Sequence, residues 1–333
     1  MKRLGIVLVG VAAFAIFLVG CSLDGLRHNP ALQAAARDQR QAVLRAAVAE
    51  AGRADAGGRT GAADSRLDEA VQALGGGANA YATIGESVRA QNRPALALRL
   101  LERGLQKAPD GRDDPLLLGA LARAARQNGK TNRAAEAERQ AAARADAILR
   151  AEAGVGVRRT SEESEQAANR LLVAGAYFHE YAKNTPQALK AWRAALALVP
   201  DEPTLLNQVG YTLADEGTTP AEWNEALDLT RRALAKAPNE AMIRDSYGWA
   251  LYRLGDTKAA RRILRQAADD LPDEPDAHYH LGVALAKLGL SNEARAEFTR
   301  TLRLRPDHEK AKTALAGLPA VPNEPSVAPP PAG

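Results

Sequence analysis

Histidine, cysteine, carboxylate and aromatic side chains are the groups through which this 333-residue chain could do chemistry. The five histidines are His28, His179, His278, His280 and His308. His278 and His280 are close in sequence, but residues two apart on a helix point to different faces, unlike the i, i+4 spacing with which a helix grips zinc. No metal site and no cofactor is expected. Adjacent carboxylates such as Asp269 and Asp270, or Glu162 and Glu163, do not converge on a helix. GxSxG, P-loop, HExxH and CxxC patterns are absent from the sequence. The chain is therefore not expected to be an enzyme. Cys21 is the single cysteine, so it has no partner for an intramolecular disulfide.

What precedes Cys21 gives it a use. Lys2 and Arg3 form a short positive start, and Leu4 to Gly20 carry no charge, the layout of an export signal. Leu18, Val19, Gly20 and Cys21 resemble the lipobox of bacterial lipoproteins. That resemblance implies a signal peptide over 1–20, cleavage before Cys21, and acylation of that cysteine with fatty acid such as palmitate. Two or more acyl chains, each CH₂ contributing about 0.8 kcal/mol, would make the tether stable. Enterobacterial lipoproteins with aspartate after the cysteine stay in the inner membrane, whereas Ser22 stands here. The resemblance thus favours the outer membrane, facing the periplasm, over the inner membrane.

Composition bounds the rest. Loss of residues 1–20 removes Lys2 and Arg3 and lowers the formal charge from +4 to +2, which argues against a nucleic-acid partner. Aromatics are only 4% of the chain while alanine and leucine abound, and no stretch alternates in the manner of a strand. An all-α chain is expected.

Its helices recur. Gly248 matches Gly282, Gly255 matches Gly289, Ala260 matches Ala294, Leu264 matches Phe298 and Pro272 matches Pro306, each 34 residues on. This is similar to the tetratricopeptide repeat in period and pattern. Small residues let two helices approach, the glycine between them allows a tight turn, and the proline ends the second helix. Upstream, 203–240 carries Leu206, Gly210, Ala226, Ala233 and Pro238 with about four extra residues in the inter-helix turn. Residues 168–202 carry Gly175, Ala188, Trp192, Ala195 and Pro200 with one extra residue near Thr185. Residues 78–111 fit well, through Tyr81, Gly85, Ala97, Leu101 and Pro109, and 115–148 fit poorly.

The resemblance implies an α-solenoid of about six helix-turn-helix repeats. The expected order is the signal peptide, a lipidated N-terminus with an amphipathic helix and flexible spacer (21–77), and an N-terminal pair of repeats (78–150). A linker (151–167), four repeats (168–308), a capping helix (309–318) and a disordered Pro-rich tail (319–333) follow.

In peptide-binding relatives, positions 2, 5, 9 and 12 of each first helix face a groove. Here they include Asn207, Tyr211, Asp245, Trp249, Tyr252, Asp276 and Tyr279, a concentration of aromatics in a chain that has few. The alternative is that Trp249 and Tyr252 pack between neighbouring repeats. The lysine and asparagines of a carboxylate clamp are missing: Leu172, Asn207, Asp245 and Tyr279 stand at position 5, and Ala176, Tyr211, Trp249 and Val283 at position 9. The chain is similar to tetratricopeptide lipoproteins of Gram-negative bacteria, which implies a membrane-anchored periplasmic scaffold with a protein partner in pilus, secretion or outer-membrane assembly. Exopolysaccharide export or control of a cell-wall synthase is the alternative client, and an enzyme with a site between repeats a more distant one. Replacing Cys21 by Ser should abolish metabolic labelling with radioactive palmitate and move the protein out of the membrane pellet; labelling that persists would exclude acylation at this residue.

Overall fold

A computed structural model describes residues 44–153 and 159–319. The expected signal peptide, Cys21, and the Pro-rich tail past Pro319 lie outside the described residues. Those residues hold fifteen helices and no strand. None of the helices is long and apolar enough to cross a membrane. The chain divides after Arg144 into two compact units.

The first unit opens with a helix pair where the sequence reading expects one amphipathic helix, about 30–52, followed by a flexible spacer. Helix α1 spans 44–56 and α2 spans Thr60–Ala73, joined at Gly57 and Gly58. Val48, Ala51, Ala63, Leu67 and Val71 are buried in this pair. Gly58 has φ 74°, so the glycines of AGRADAGGRTG make an inter-helix turn rather than a flexible run. The number of helix pairs therefore exceeds the six expected: there are seven among the described residues, counting this one. Helix α3 (Ala78–Ala90) and α4 (Pro94–Lys107) form the next pair. From α4, Arg99 reaches Asp55, Arg103 reaches Asp64 and Asp68, and Lys107 reaches Asp68, a row of ion pairs that ties α4 to α1 and α2. Helix α5 (Pro115–Gln127) is followed by the 22-residue α6 (Thr131–Glu152). Ala134, Ala137 and Ala141 are buried on α6, and the poor fit of this repeat has a local reason: Glu138 stands sixteen residues after Ala122, where Leu101 follows Gly85 in the preceding pair.

The second unit contains α7 (Ser161–Glu180), α8 (Thr185–Leu198), α9 (Pro203–Glu216), α10 (Pro220–Lys236), α11 (Ala241–Arg253), α12 (Thr257–Asp270), α13 (Pro275–Lys287), α14 (Ser291–Leu304) and the cap α15 (Glu309–Ala316). Helix α7 starts well inside the expected linker. The reason is local: Thr160 accepts a hydrogen bond from the Glu163 N–H (3.2 Å) and its own N–H donates to Glu163 (2.7 Å), a capping box that nucleates the helix at Ser161. Pro203 and Pro275 stand at the first helical position after a glutamate whose side chain accepts from an N–H of the first turn, so acid-proline pairs start α9 and α13.

Five of the pairs close on one glycine. A Cβ added to Gly282 would stand 2.6 Å from Phe298, and one added to Gly248 would stand 2.8 Å from Leu264. Gly175 faces Trp192 in the same way, and Gly85 faces Leu101 in the first unit. In α9 and α10 the facing residue is Thr230, whose methyl would lie 2.7 Å from a Cβ at Gly210. The four-residue insertion in that turn moves the contact from the register of Ala226 to Thr230. The lengthened turn is held by Arg253, which donates to the carbonyls of Ala214, Asp215 (2.9 Å) and Gly217 (2.7 Å) and lies 4.7 Å over the Trp223 ring.

Gly282→Val should cost about 1–3 kcal/mol by overpacking against Phe298. In urea denaturation Gly282→Val should unfold at clearly lower concentration than the wild type; an unchanged midpoint would contradict the close-approach reading.

Candidate inner groove of the second unit

The first helices α9, α11 and α13 pack in succession and present the predicted site residues on one face. Asn207 and Tyr211 are one turn apart on α9, as are Asp245 and Trp249 on α11. Asn207, Tyr211, Tyr252 and Tyr279 are half-buried; Asp245 and Trp249 are buried, at 4% and 5% exposure. The structure joins all but Asn207 through rings and hydrogen bonds, and the hub is a residue that the sequence reading passes over, His280.

His280 stacks on Trp249 with ring centroids 4.3 Å apart and planes 19° from parallel, and Trp249 stacks on Tyr252 at 5.0 Å and 10°. Tyr211 and Tyr279 flank the same imidazole at 6.1 and 5.8 Å. The Nδ1–H of His280 donates to Asp245 Oδ2 at 2.8 Å. Trp249 and Tyr252 therefore do pack between α11 and α13, while the half-buried edge of Tyr252 remains accessible.

His278, two residues earlier, lies on the other side of α13. Its Nδ1 meets Glu297 at 2.8 Å and its Nε2 meets the Pro272 carbonyl at 3.2 Å. The two histidines thus diverge, and among the described residues no three potential metal ligands cluster.

A cavity of about 340 Å³ opens beside His280, lined by residues of α9, α13 and the start of α15. Asp276 sits on its wall in a two-pronged contact with Arg305 (3.0 and 3.1 Å). Burial alone would raise the Asp276 carboxyl, but Arg305, with help from His280 and His308, holds it below its ordinary value. The Nδ1 of His308 accepts from the Ala311 N–H, which leaves its hydrogen on Nε2 to donate to Asp276 at 3.1 Å. Lys310 reaches Asp215 of α9 at 3.1 Å, a contact between residues 95 apart in sequence. Tyr211 and Tyr279 are both pushed up, first by burial and then by Asp215.

Three buried polar atoms on this face have no hydrogen-bond partner within the protein: Asn207 Oδ1, Asp245 Oδ1 and Trp249 Nε1. The first unit has a larger cavity of about 730 Å³, lined by Arg112, Arg133, Arg144 and other polar groups together with Leu105, Leu118 and Ala143, and by no aromatic side chain.

Comparison with known proteins identifies the repeats. Residues 246–309, from α11 to the start of α15, match the family described as the tetratricopeptide repeat. That stretch of the chain is therefore similar to tetratricopeptide repeats. A relative in Pseudomonas aeruginosa, the TPR repeat-containing protein PA4667, is 38% identical over 112 residues, which take in 34% of this chain and 18% of the relative. This chain thus matches less than a fifth of that relative's length. Similar solved structures include the APC/C hetero-tetramer Cut9-Hcn1 (16% identity, 76% of this chain and 46% of that one, TM-score 0.47). YrrB, described as a TPR protein with an unusual peptide-binding site, is 19% identical over 64% of this chain and 96% of its own, with TM-score 0.37. MamA is 20% identical over 42% and 80%, with TM-score 0.34.

On this face, His280 is the titrating group that matters most. Burial alone would lower its pKa, yet the adjacent Asp245 carboxylate, with Asp276 and Asp215 beyond, raises it above the ordinary value. A raised histidine contributes stability that is complete below the unfolded pKa of about 6.5 and is lost as pH rises through the folded value. The wild type should therefore lose melting temperature, relative to His280→Gln, as pH rises above about 6.5. A pH-independent difference between the two would show that the pair is neutral.

Proposed function

We propose that this chain is a lipid-anchored periplasmic scaffold whose inner groove binds an extended segment of a protein partner and holds it for assembly of an envelope machine. Tetratricopeptide repeats are a protein-interaction fold, and the single observation that carries the groove reading is the trio of unpartnered polar atoms. An unsatisfied buried acceptor or donor costs about 1–3 kcal/mol. Asn207 Oδ1, Asp245 Oδ1 and Trp249 Nε1 are two acceptors and one donor left buried without a partner among the residues of the aromatic face, and a segment that settles there with backbone N–H and C=O groups free would complement them. The indole of Trp192, by contrast, is satisfied by the Leu172 carbonyl at 3.2 Å.

The anchor is part of the same reading. It rests on the charge-free run before Cys21 and the lipobox-like LVGC, and Ser22 favours the outer membrane. A machine for pilus assembly, secretion or outer-membrane assembly would then be reached from the membrane surface. The tether supports this role by confining the groove to the periplasmic face, which raises the effective concentration of the scaffold near its client.

A photoreactive amino acid at position 252, where the edge of the aromatic stack is accessible, should crosslink in intact cells to one dominant envelope protein. Asn207→Ala should reduce that yield several-fold while leaving the melting temperature nearly unchanged. Crosslinks to lipid or abundant porins alone, or a yield unaffected by Asn207→Ala, would remove the groove from the account.

A further inference from the structure

The charge around the groove cavity is one-sided. Asp215, Asp276, Asp307 and Glu309 line it against two permanent cations, Arg305 and Lys310. Arg305 is committed to Asp276 through both of its prongs. Lys310 is held differently: its side chain is 62% exposed and it makes one contact, to Asp215, which is only 20% exposed. An exposed ion pair of this kind is weak and easily exchanged. The carboxylate is the built half of the contact, and the lysine is a long arm laid over it from the cap helix.

The surroundings of Asp215 suit a cation. Tyr211 and Tyr279 line the same cavity, and aromatic faces attract ammonium and guanidinium groups. Burial and the carboxylates Asp215, Asp276, Asp245 and Glu274 all push the Tyr211 hydroxyl up, so the local field is negative. Asp245, bonded to His280 on the cavity wall, and Asn207, one turn before Tyr211, each keep an unpartnered acceptor. Position 5 of this repeat, where a carboxylate-gripping clamp would need a lysine, is Asp245.

We propose that the groove recognises a basic segment of its protein partner by taking a lysine or arginine side chain onto Asp215, between Tyr211 and Tyr279, and that Lys310 occupies this place until the partner displaces it. Lys310 is thus an internal competitor. The inference rests on the groove reading above, and it adds the charge of the partner.

The two halves of the Lys310–Asp215 pair then have opposite effects, although removing either breaks the same contact. The probe is a fluorescein-labelled peptide alternating lysine with glycine and serine, titrated by anisotropy into the full-length chain in nonionic detergent, beside the same peptide with glutamate for lysine. The lysine peptide should bind and the glutamate peptide should not. Lys310→Met should tighten binding by about three- to fivefold and Asp215→Asn should weaken it by a similar factor, the range of an exposed ion pair. Lys312→Met, which removes the same charge from the same helix but not the contact with Asp215, should change affinity much less. Equal effects of Lys310→Met and Lys312→Met, changes of one sign for Lys310→Met and Asp215→Asn, or preference for the glutamate peptide would overturn the proposal. If the position-252 crosslink in cells persists alongside any of these, the groove reading stands and the charge assignment alone falls.

Discussion

The contact between a glycine on each first helix and a large or branched side chain on the second is the constraint on which the second unit depends. Gly175 with Trp192, Gly210 with Thr230, Gly248 with Leu264 and Gly282 with Phe298 set the distance at which paired helices lie. Because a backbone is in direct contact with a side chain, there is no room for a Cβ, and the pair has one packed arrangement. With the pairs fixed, the first helices α9, α11 and α13 come together as a layer. The spacing of that layer places Trp249 against His280 and His280 against Asp245. The groove is therefore a consequence of packing on the opposite side of the same helices.

The aromatic face combines two kinds of residue with different duties. Trp249, His280 and Asp245 are buried and cross-link α11 to α13, so they belong as much to the core as to the surface. Asn207, Tyr211, Tyr252 and Tyr279 are half-buried and supply the accessible edge. A rigid, stacked base under a partly exposed rim loses little entropy when a partner orders it, which is what a recognition surface needs. The cap α15 closes the end of the unit and also sends Lys310 back to Asp215, so the same helix protects the last repeat and touches the groove.

The parts of the structure that were legible in the sequence are those with local periodicity. The 34-residue recurrence of Gly248 and Gly282, and of Leu264 and Phe298, announces a direct contact because a small and a large residue keep step. The extra residue near Thr185 was likewise visible, and Gly175 still meets Trp192 across it. Thr230 was harder, since the four-residue insertion shifts its register and a threonine does not look like the large residue it replaces. The expected amphipathic helix overlaps α1, but α2 and its pairing with α1 are hidden in the sequence because the turn glycines, Gly57 and Gly58, resemble a spacer and the core of the pair is mainly alanine. The spacing of His280 from His278 bears on metal binding and says nothing of a partner 35 residues upstream. Lys310 and Asp215 are 95 residues apart, and no local pattern connects them.

The central claim is that the inner face of the second unit is covered by a protein partner in the cell. Hydroxyl-radical footprinting tests it directly, by comparing oxidation of Tyr252 and Tyr279 in intact cells with that in the purified chain, normalised to the exposed Met242. The account predicts that both tyrosines lose most of their reactivity in cells. Equal oxidation in cells and in the purified protein would mean that this face is open where the protein works, and would contradict it.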